Sequence, residues 1–120
     1  MNIQVKLKDH ISHEIVYQGE AVLETNNSRG RHIKFKDEKN AFYWKIYEEA
    51  LIIESISQVK VYLGLRINRN TQGHIDTEFG RIDLVCHTLT YHNEKDRIEI
   101  KYEISQGNEN QLFHFELEIQ

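Results

Sequence analysis

The sequence contains no proline, a single cysteine (Cys86) and no long apolar run. One cysteine rules out an intrachain disulfide and suits a reducing compartment, so we expect a cytoplasmic protein. No segment approaches the roughly 20 apolar residues that a membrane-spanning helix needs. The segment Met1–Lys8 alternates polar and apolar side chains, which is not the pattern of a signal peptide. The sequence therefore predicts no membrane partner.

An excess of basic charge is also missing, since the formal net charge at pH 7 is -4. Binding to a phosphate backbone usually requires clustered lysine and arginine. Here the basic residues are scattered among acidic ones, as in Lys36–Lys39 and Glu94–Arg97, a composition typical of solvated turns. We therefore expect no nucleic-acid partner.

The dominant pattern that is present is a strict alternation of apolar and polar side chains. Such alternation places successive side chains on opposite faces of a strand. A sheet with one apolar face and one solvent-exposed face is typical of antiparallel strands. The pattern is clearest in four segments: Ile3–Leu7, Val59–Leu65, Arg97–Glu103 and Phe113–Ile119.

Short polar stretches with turn residues separate the alternating segments. They are Asn26–Gly30, Asn68–Gly73, His92–Asp96 and Gln106–Asn110. Turns spaced by about 8–12 residues predict a barrel or a sandwich, and the whole of residues 1–120 is expected to form one all-β domain. The segment Ala41–Ala50 also fits a short amphipathic helix, but its aromatic and β-branched content favours a strand. We expect that strand to turn at Glu48 and Glu49.

One stretch, Gly73–Leu84, resembles the central motif of DUF1934, a family of small bacterial proteins also called YwiB-like. The motif comprises a Thr, an aromatic residue and a Gly, here Thr77, Phe79 and Gly80, leading into an alternating strand that ends near Thr88 or Thr90. The strand Ile98–Tyr102 and the segment Gly107–Ile119 also fit, whereas the first half of the chain shares few distinctive residues. Glu78 replaces the usual small residue or proline, so the chain is similar to a divergent member.

The resemblance implies a closed, up-and-down β-barrel of the calycin or lipocalin type, which we expect to contain about 8–10 strands. The resemblance carries no catalytic residues over to this chain, and we separately expect no metal site and no cofactor. Within the motif, we expect Gly80 to mark a bulge or bend inside a strand, since glycine weakens strand pairing. Thr77 is expected to form a local hydrogen bond at that bend.

Other polar residues give weak indications of chemistry. The seven histidines lack the spacing of a structural metal site, although strand pairing could gather distant ones. Cys86 lies on the apolar face with Ile82 and Leu84, so we expect a buried thiol. Four glutamates alternate with core residues and are predicted to point into solvent: Glu99, Glu103, Glu116 and Glu118.

Aromatic residues are the most informative group for function. Six of them fall on faces assigned to the barrel interior: Tyr17, Phe42, Trp44, Tyr102, Phe113 and Phe115. They either fill the core of the barrel or line a mixed pocket for a small apolar or amphipathic ligand.

Three functions therefore compete. The first is a non-enzymatic barrel that binds a small, partly apolar molecule inside, as a monomer or a homodimer. The second is an interaction or scaffold module that uses the outer face, where the alternation places the side chains of Tyr62, Val85, Leu89 and Tyr91. The third is an enzyme with His87, His92 or Arg66 at the barrel mouth, which no recognisable motif supports.

Overall fold

A computed structural model describes residues 1–120 and shows ten antiparallel strands without a helix. The prediction of an all-β barrel is confirmed. In chain order the strands are β1 (Asn2–Asp9), β2 (Glu14–Asn27), β3 (Gly30–Lys36), β4 (Ala41–Ile46), β5 (Ala50–Ile56), β6 (Lys60–Arg66), β7 (Asn70–Thr77), β8 (Gly80–Asn93), β9 (Arg97–Gln106) and β10 (Glu109–Ile119).

The sheet closes on itself because the first strand pairs with the last. Each strand is hydrogen bonded to its neighbours in the sequence, and β1 also pairs with β10 in an antiparallel register that places Val5 opposite Ile119 and Leu7 opposite Leu117. Full closure leaves no strand edge with unpaired backbone groups. The turns that lead into the even-numbered strands lie at one end of the barrel, which is called here the even-turn end. They are the β1–β2, β3–β4, β5–β6, β7–β8 and β9–β10 turns.

Side-chain alternation decides where the core lies. Eighteen hydrophobic residues are buried in one interior cluster, and cross-strand register aligns them in layers. One layer runs across six strands, in which each residue is paired with the next: Ile33, Trp44, Ile53, Leu63, Gly73 and Leu84. Burying apolar area of this kind supplies about 25 cal/mol per Å² and stabilises the closed barrel.

The ambiguous segment is a strand, as predicted. β4 covers Ala41–Ile46, and the chain turns at Tyr47–Glu49 before β5. Trp44 and Ile46 alternate with Tyr43 and Lys45 and are fully buried, so a period of two fits the environment better than the helical stripe.

Two sequence-based assignments near the motif are wrong. The stretch Asn68–Gly73 is a turn only at its start, because β7 begins at Asn70 and Gly73 lies buried within it. Gly80 is not a bend inside a strand, since it begins β8 after a tight hairpin turn with a φ of 124°. The local role of Thr77 is confirmed, because its hydroxyl donates to the carbonyl of Gly80 at 2.9 Å and accepts from the Phe79 amide at 3.1 Å.

The prediction that Tyr91 lies on the outer face is also wrong. The pairing of β8 with β9 shifts by one residue between Thr88 and Thr90, and such a bulge exchanges the two faces of the strand. Tyr91 is therefore buried, and its hydroxyl donates to the carbonyl of Tyr47 at 2.6 Å. This bond attaches β8 to the turn between β4 and β5.

Candidate functional site

A cleft of about 980 Å³ opens beside the even-turn end of the barrel. Its walls come from the parts of β3 to β7 nearest the β3–β4 and β5–β6 turns, together with β2 and Asn2. Half of its 20 lining residues are hydrophobic. Because side chains of both strand faces contribute, the cleft joins an apolar interior surface to a polar outer one.

The apolar side of the cleft is a row of aromatic rings. The ring of Phe35 stacks on Phe42 with centroids 5.0 Å apart, and Tyr17 packs against Phe35 at 4.9 Å. Phe35 and Phe42 are directly paired across β3 and β4, so the register fixes their stacking. The Tyr17 hydroxyl donates to the carbonyl of Glu20, which leaves the ring facing the cleft.

The polar side of the cleft carries charges of both signs. Lys34 forms an ion pair with Glu24 at 3.0 Å and lies over the ring of Tyr43 at 4.6 Å. On the opposite wall, Tyr62 stacks on His74 with centroids 5.2 Å apart. Apart from Glu24, these residues belong to a single cross-strand row on the outer face, in which the paired neighbours are Val22, Lys34, Tyr43, Glu54, Tyr62 and His74.

One acidic residue at the cleft has a shifted pKa. Asp76 accepts a hydrogen bond from Arg81 Nε at 2.8 Å, and this bond lowers the pKa of the carboxyl group. His74 Nε2 lies 3.7 Å from the same carboxylate. Asp76 is therefore ionised and held at the rim of the cleft at neutral pH.

The structure divides the six predicted interior aromatics into three groups. Tyr17 and Phe42 line the cleft. Trp44 and Tyr102 are buried in the core. Phe113 and Phe115 are half-buried, and the ring of Phe113 stacks on Tyr102 at 5.2 Å.

Sequence reasoning missed Phe35 as a lining residue. The alternation of Ile33, Lys34 and Phe35 would have placed its ring inside, but only the register of β3 with β4 brings it onto Phe42. The outer-face contributors Tyr43 and His74 were also missed, because a period of two assigns them to solvent without showing that they share a cleft.

Three buried polar atoms of the interior have no hydrogen-bond partner within the protein: Trp44 Nε1, Thr71 Oγ1 and Thr88 Oγ1. Leaving a buried donor or acceptor unpaired costs about 1–3 kcal/mol, and bound water or ligand commonly satisfies such groups. The barrel interior therefore offers hydrogen-bonding groups that the protein itself does not use.

The residues considered for catalysis have separate partners. His87 Nδ1 lies 2.8 Å from Asn70 Oδ1, and Arg66 lies 3.8 Å from Glu49, while His92 is paired across the strands with Glu99. Cys86 is buried, as predicted, and burial raises the pKa of its thiol to about 11. At neutral pH this thiol is protonated and shielded, so it is a poor nucleophile.

One prediction about the glutamates needs correction. Glu116 does not point into open solvent, because its side chain is 12% exposed and its carboxylate lies 2.9 Å from His10 Nε2. Glu99 is similarly enclosed and lies 2.9 Å from His114 Nε2. Histidines that are distant in sequence thus meet carboxylates on the outer face of β1, β9 and β10.

Comparisons with known proteins support the fold. No protein-family model matches the chain, and no curated protein matches it. Among solved structures, the chain is similar to the crystal structure of ywiB protein from Bacillus subtilis, with a TM-score of 0.71 and 14% sequence identity. The match covers 99% of this chain and 87% of that one. The structure contains no helix long and apolar enough to cross a membrane.

Proposed function

We propose that this barrel is a non-enzymatic, cytoplasmic binding protein that takes one small amphipathic molecule into the cleft at its even-turn end. The observation that carries the proposal is the aromatic row of Tyr17, Phe35 and Phe42 along a cleft of about 980 Å³. Ligand sites are typically concave, apolar and about 300–1,000 Å³ in volume, and in β-barrels they lie at the mouth. The volume, lining and position of the cleft all fit this class.

The charged residues at the rim of the cleft indicate which polar groups the ligand carries. Lys36 and Lys60 face the cleft together with Glu20 and Glu54, and none of these four belongs to an ion pair within the protein. A ligand that carries both a donor or cationic group and an acceptor or anionic group suits this mixed rim. The aromatic row would receive its flat or branched apolar part, since ring stacking adds about 0.5–1.5 kcal/mol beyond area burial.

The motif resemblance and the shared fold also support our assignment of the chain as a divergent member of the DUF1934 family. A fold-level likeness does not by itself assign a function, so the binding role depends on the cleft.

Titration with 1-anilinonaphthalene-8-sulfonate, an amphipathic aromatic probe, tests the proposal. Trp44 is the only tryptophan and lies two residues from Phe42 on the same face of β4, so energy transfer from Trp44 reports binding near the cleft. The variant Phe42→Leu removes one ring of the row. Phe113→Leu is its matched control, because Phe113 is another half-buried interior aromatic that does not line the cleft.

We expect saturable binding with a stoichiometry of one, weakened by Phe42→Leu about 2- to 12-fold and unchanged by Phe113→Leu. Circular dichroism in the near ultraviolet confirms that both variants keep native packing. Equal effects of the two substitutions, or the absence of saturable binding to the wild-type protein, would contradict the proposal. Native mass spectrometry of freshly purified protein then identifies any retained molecule by mass.

Exposed apolar side chains favour a second candidate, a scaffold that uses the outer face. Val85 and Leu89 on β8 are 46% and 40% exposed, as the alternation predicts, whereas Tyr91 no longer belongs to this surface. Light scattering after size exclusion, with wild-type protein and Val85→Ser, tests whether this face mediates self-association. Identical monomeric masses for both proteins would remove the candidate.

A further inference from the structure

Two histidines and two glutamates meet on the outer face where β1, β10 and β9 run side by side. His10 follows the end of β1 and its backbone amide donates to the carbonyl of His114 in β10 at 2.8 Å. The two imidazole rings lie 4.7 Å apart. His10 Nε2 lies 2.9 Å from Glu116 Oε1, and His114 Nε2 lies 2.9 Å from Glu99 Oε2.

The cluster contains two carboxylates, those of Glu99 and Glu116, and both lie near the same arginine, Arg97. Glu99 and Glu116 are directly paired across β9 and β10, and like charges placed opposite each other destabilise a sheet. Their side chains are 21% and 12% exposed, so water screens them incompletely. The guanidinium of Arg97 forms ion pairs with both carboxylates. It lies 3.5 Å from Glu99 Oε1 and 3.7 Å from Glu116 Oε1.

Arg97 contacts one oxygen of Glu99 and leaves the other directed at His114. It also lies 3.3 Å from Glu94, which holds it at the edge of the cluster. The guanidinium thus orients Glu99 so that Oε2 faces His114. A hydrogen bond to the second oxygen of a carboxylate commonly fixes the orientation of that carboxylate as a metal ligand.

We propose that His10, His114 and Glu99 form a binding site for a divalent transition-metal ion of the zinc type. Their ligand atoms all lie within 4.8 Å of one another. Around a tetrahedral Zn²⁺ with bonds of about 2.0–2.1 Å, neighbouring ligand atoms are roughly 3.4 Å apart. Side-chain rotations that bring the atoms together by up to about 1.4 Å therefore complete the site. Two imidazoles and a carboxylate are a frequent set for such ions, and Glu116 or a water supplies the fourth position.

Metal binding is coupled to the release of protons, because the nitrogen and oxygen atoms that bind the ion must be deprotonated. In the metal complex each Nε2 atom offers its lone pair to the ion, so any proton on that nitrogen must move to Nδ1 or to solvent. The bound ion also joins β1 to β9 and β10, so metal binding is expected to stabilise the closed barrel.

Isothermal titration with Zn²⁺ alone, on protein treated with a chelator, tests the site. The variants are His10→Gln, His114→Gln and Glu99→Gln. His74→Gln is the matched control, because His74 also lies near a carboxylate, that of Asp76 at 3.7 Å, but belongs to no group of three possible metal ligands. Thermal unfolding with and without Zn²⁺ gives a second readout, and Co²⁺ absorption reports the coordination geometry.

We expect one Zn²⁺ per chain, a dissociation constant at least about tenfold weaker in each of the three site variants, and no change in His74→Gln. Zn²⁺ should raise the Tm of the wild-type protein and of His74→Gln, and leave the Tm of His10→Gln/His114→Gln unchanged. Retention of wild-type affinity by that double variant would overturn the proposal, as would the absence of stoichiometric binding to the wild-type protein. Circular dichroism without metal establishes that each variant is folded before its affinity is compared.

Discussion

Two glycines within strands should respond to the same substitution with opposite signs. Gly73 lies in β7 on the interior face, directly opposite Leu63, and Gly64 lies in β6 between two buried leucines and on the outer face. A Cβ atom at Gly73 would lie 2.6 Å from the backbone oxygen of Tyr62 and 2.9 Å from Leu63 Cδ2. At Gly64 the nearest atom would be the Gln72 oxygen at 3.4 Å, an ordinary contact.

These distances give the expected magnitudes. Gly73→Ala forces atoms into a packed layer, including a backbone oxygen that cannot rotate away, at a cost of about 1–3 kcal/mol. Replacing glycine by alanine also restricts the unfolded chain, which stabilises either variant by about 0.4–1 kcal/mol. The midpoints of the two ranges give a net loss of about 1.3 kcal/mol for Gly73→Ala, and the expected gain for Gly64→Ala is about 0.4–1 kcal/mol.

Thermal and urea unfolding, followed by Trp44 fluorescence, measure both changes. For a chain of this length, 1 kcal/mol corresponds to roughly 4 °C in Tm. We therefore expect Tm to fall by about 5 °C in Gly73→Ala and to rise by about 2–4 °C in Gly64→Ala. A rise in both variants would refute the close approach of β6 to β7 at Gly73. An equal fall of Tm in both variants would show that the loss of stability comes from replacing any strand glycine, and not from the contact at Gly73.

Four further predictions test the interior and the charged surface. Tyr91→Phe should lower the free energy of unfolding by about 1 kcal/mol in urea titrations, because it removes one buried hydrogen bond. Cys86 should react with a disulfide reagent such as dithiobis(nitrobenzoate) only after unfolding, and rapid labelling of native protein at pH 8 would contradict its burial and raised pKa. Thr88→Val should stabilise the protein by about 1 kcal/mol, whereas a loss would reveal a water or ligand bonded to the hydroxyl. The hydrogen bond from Lys8 lowers the pKa of Glu118, so it contributes stability above pH about 4.3 that disappears as the pH falls. Lys8→Gln should lower Tm at pH 7 and converge with the wild-type protein near pH 3.

The sequence could predict which side chains of a strand face the core, but not which residues of the adjacent strands they pair with. Alternation within a strand correctly placed Val5, Leu63 and Ile98 inside, because the pleat imposes that period locally. It placed Tyr91 on the wrong face, since nothing in the residues around Thr88 and Thr90 indicates that the pairing shifts there. A single bulge therefore reverses the faces that a two-residue period assigns to the rest of the strand.

The candidate sites depend on pairing between strands and so were harder to predict. Tyr17 and Phe42 were correctly expected to face inward, but their meeting with Phe35 follows from the register of β2, β3 and β4. His10 and His114 are far apart in sequence, and an even-spacing rule for ligands applies only within one strand. Closure of the barrel brings them together, and closure is not visible in any local segment.

The pairing of β1 with β10 has a consequence for how the chain acquires its structure during synthesis. A ribosome produces β10 last of the ten strands, so β1 lacks one of its two hydrogen-bonded partners until Glu109–Ile119 has emerged. During that interval, β1 and the most recently made strand each expose unpaired backbone groups, which other nascent chains can bind. Charged side chains on the outer face of β1, Lys6 and Lys8, oppose such association. Nascent chains that stall before Glu109 are therefore the form of this protein most exposed to aggregation and to capture by chaperones.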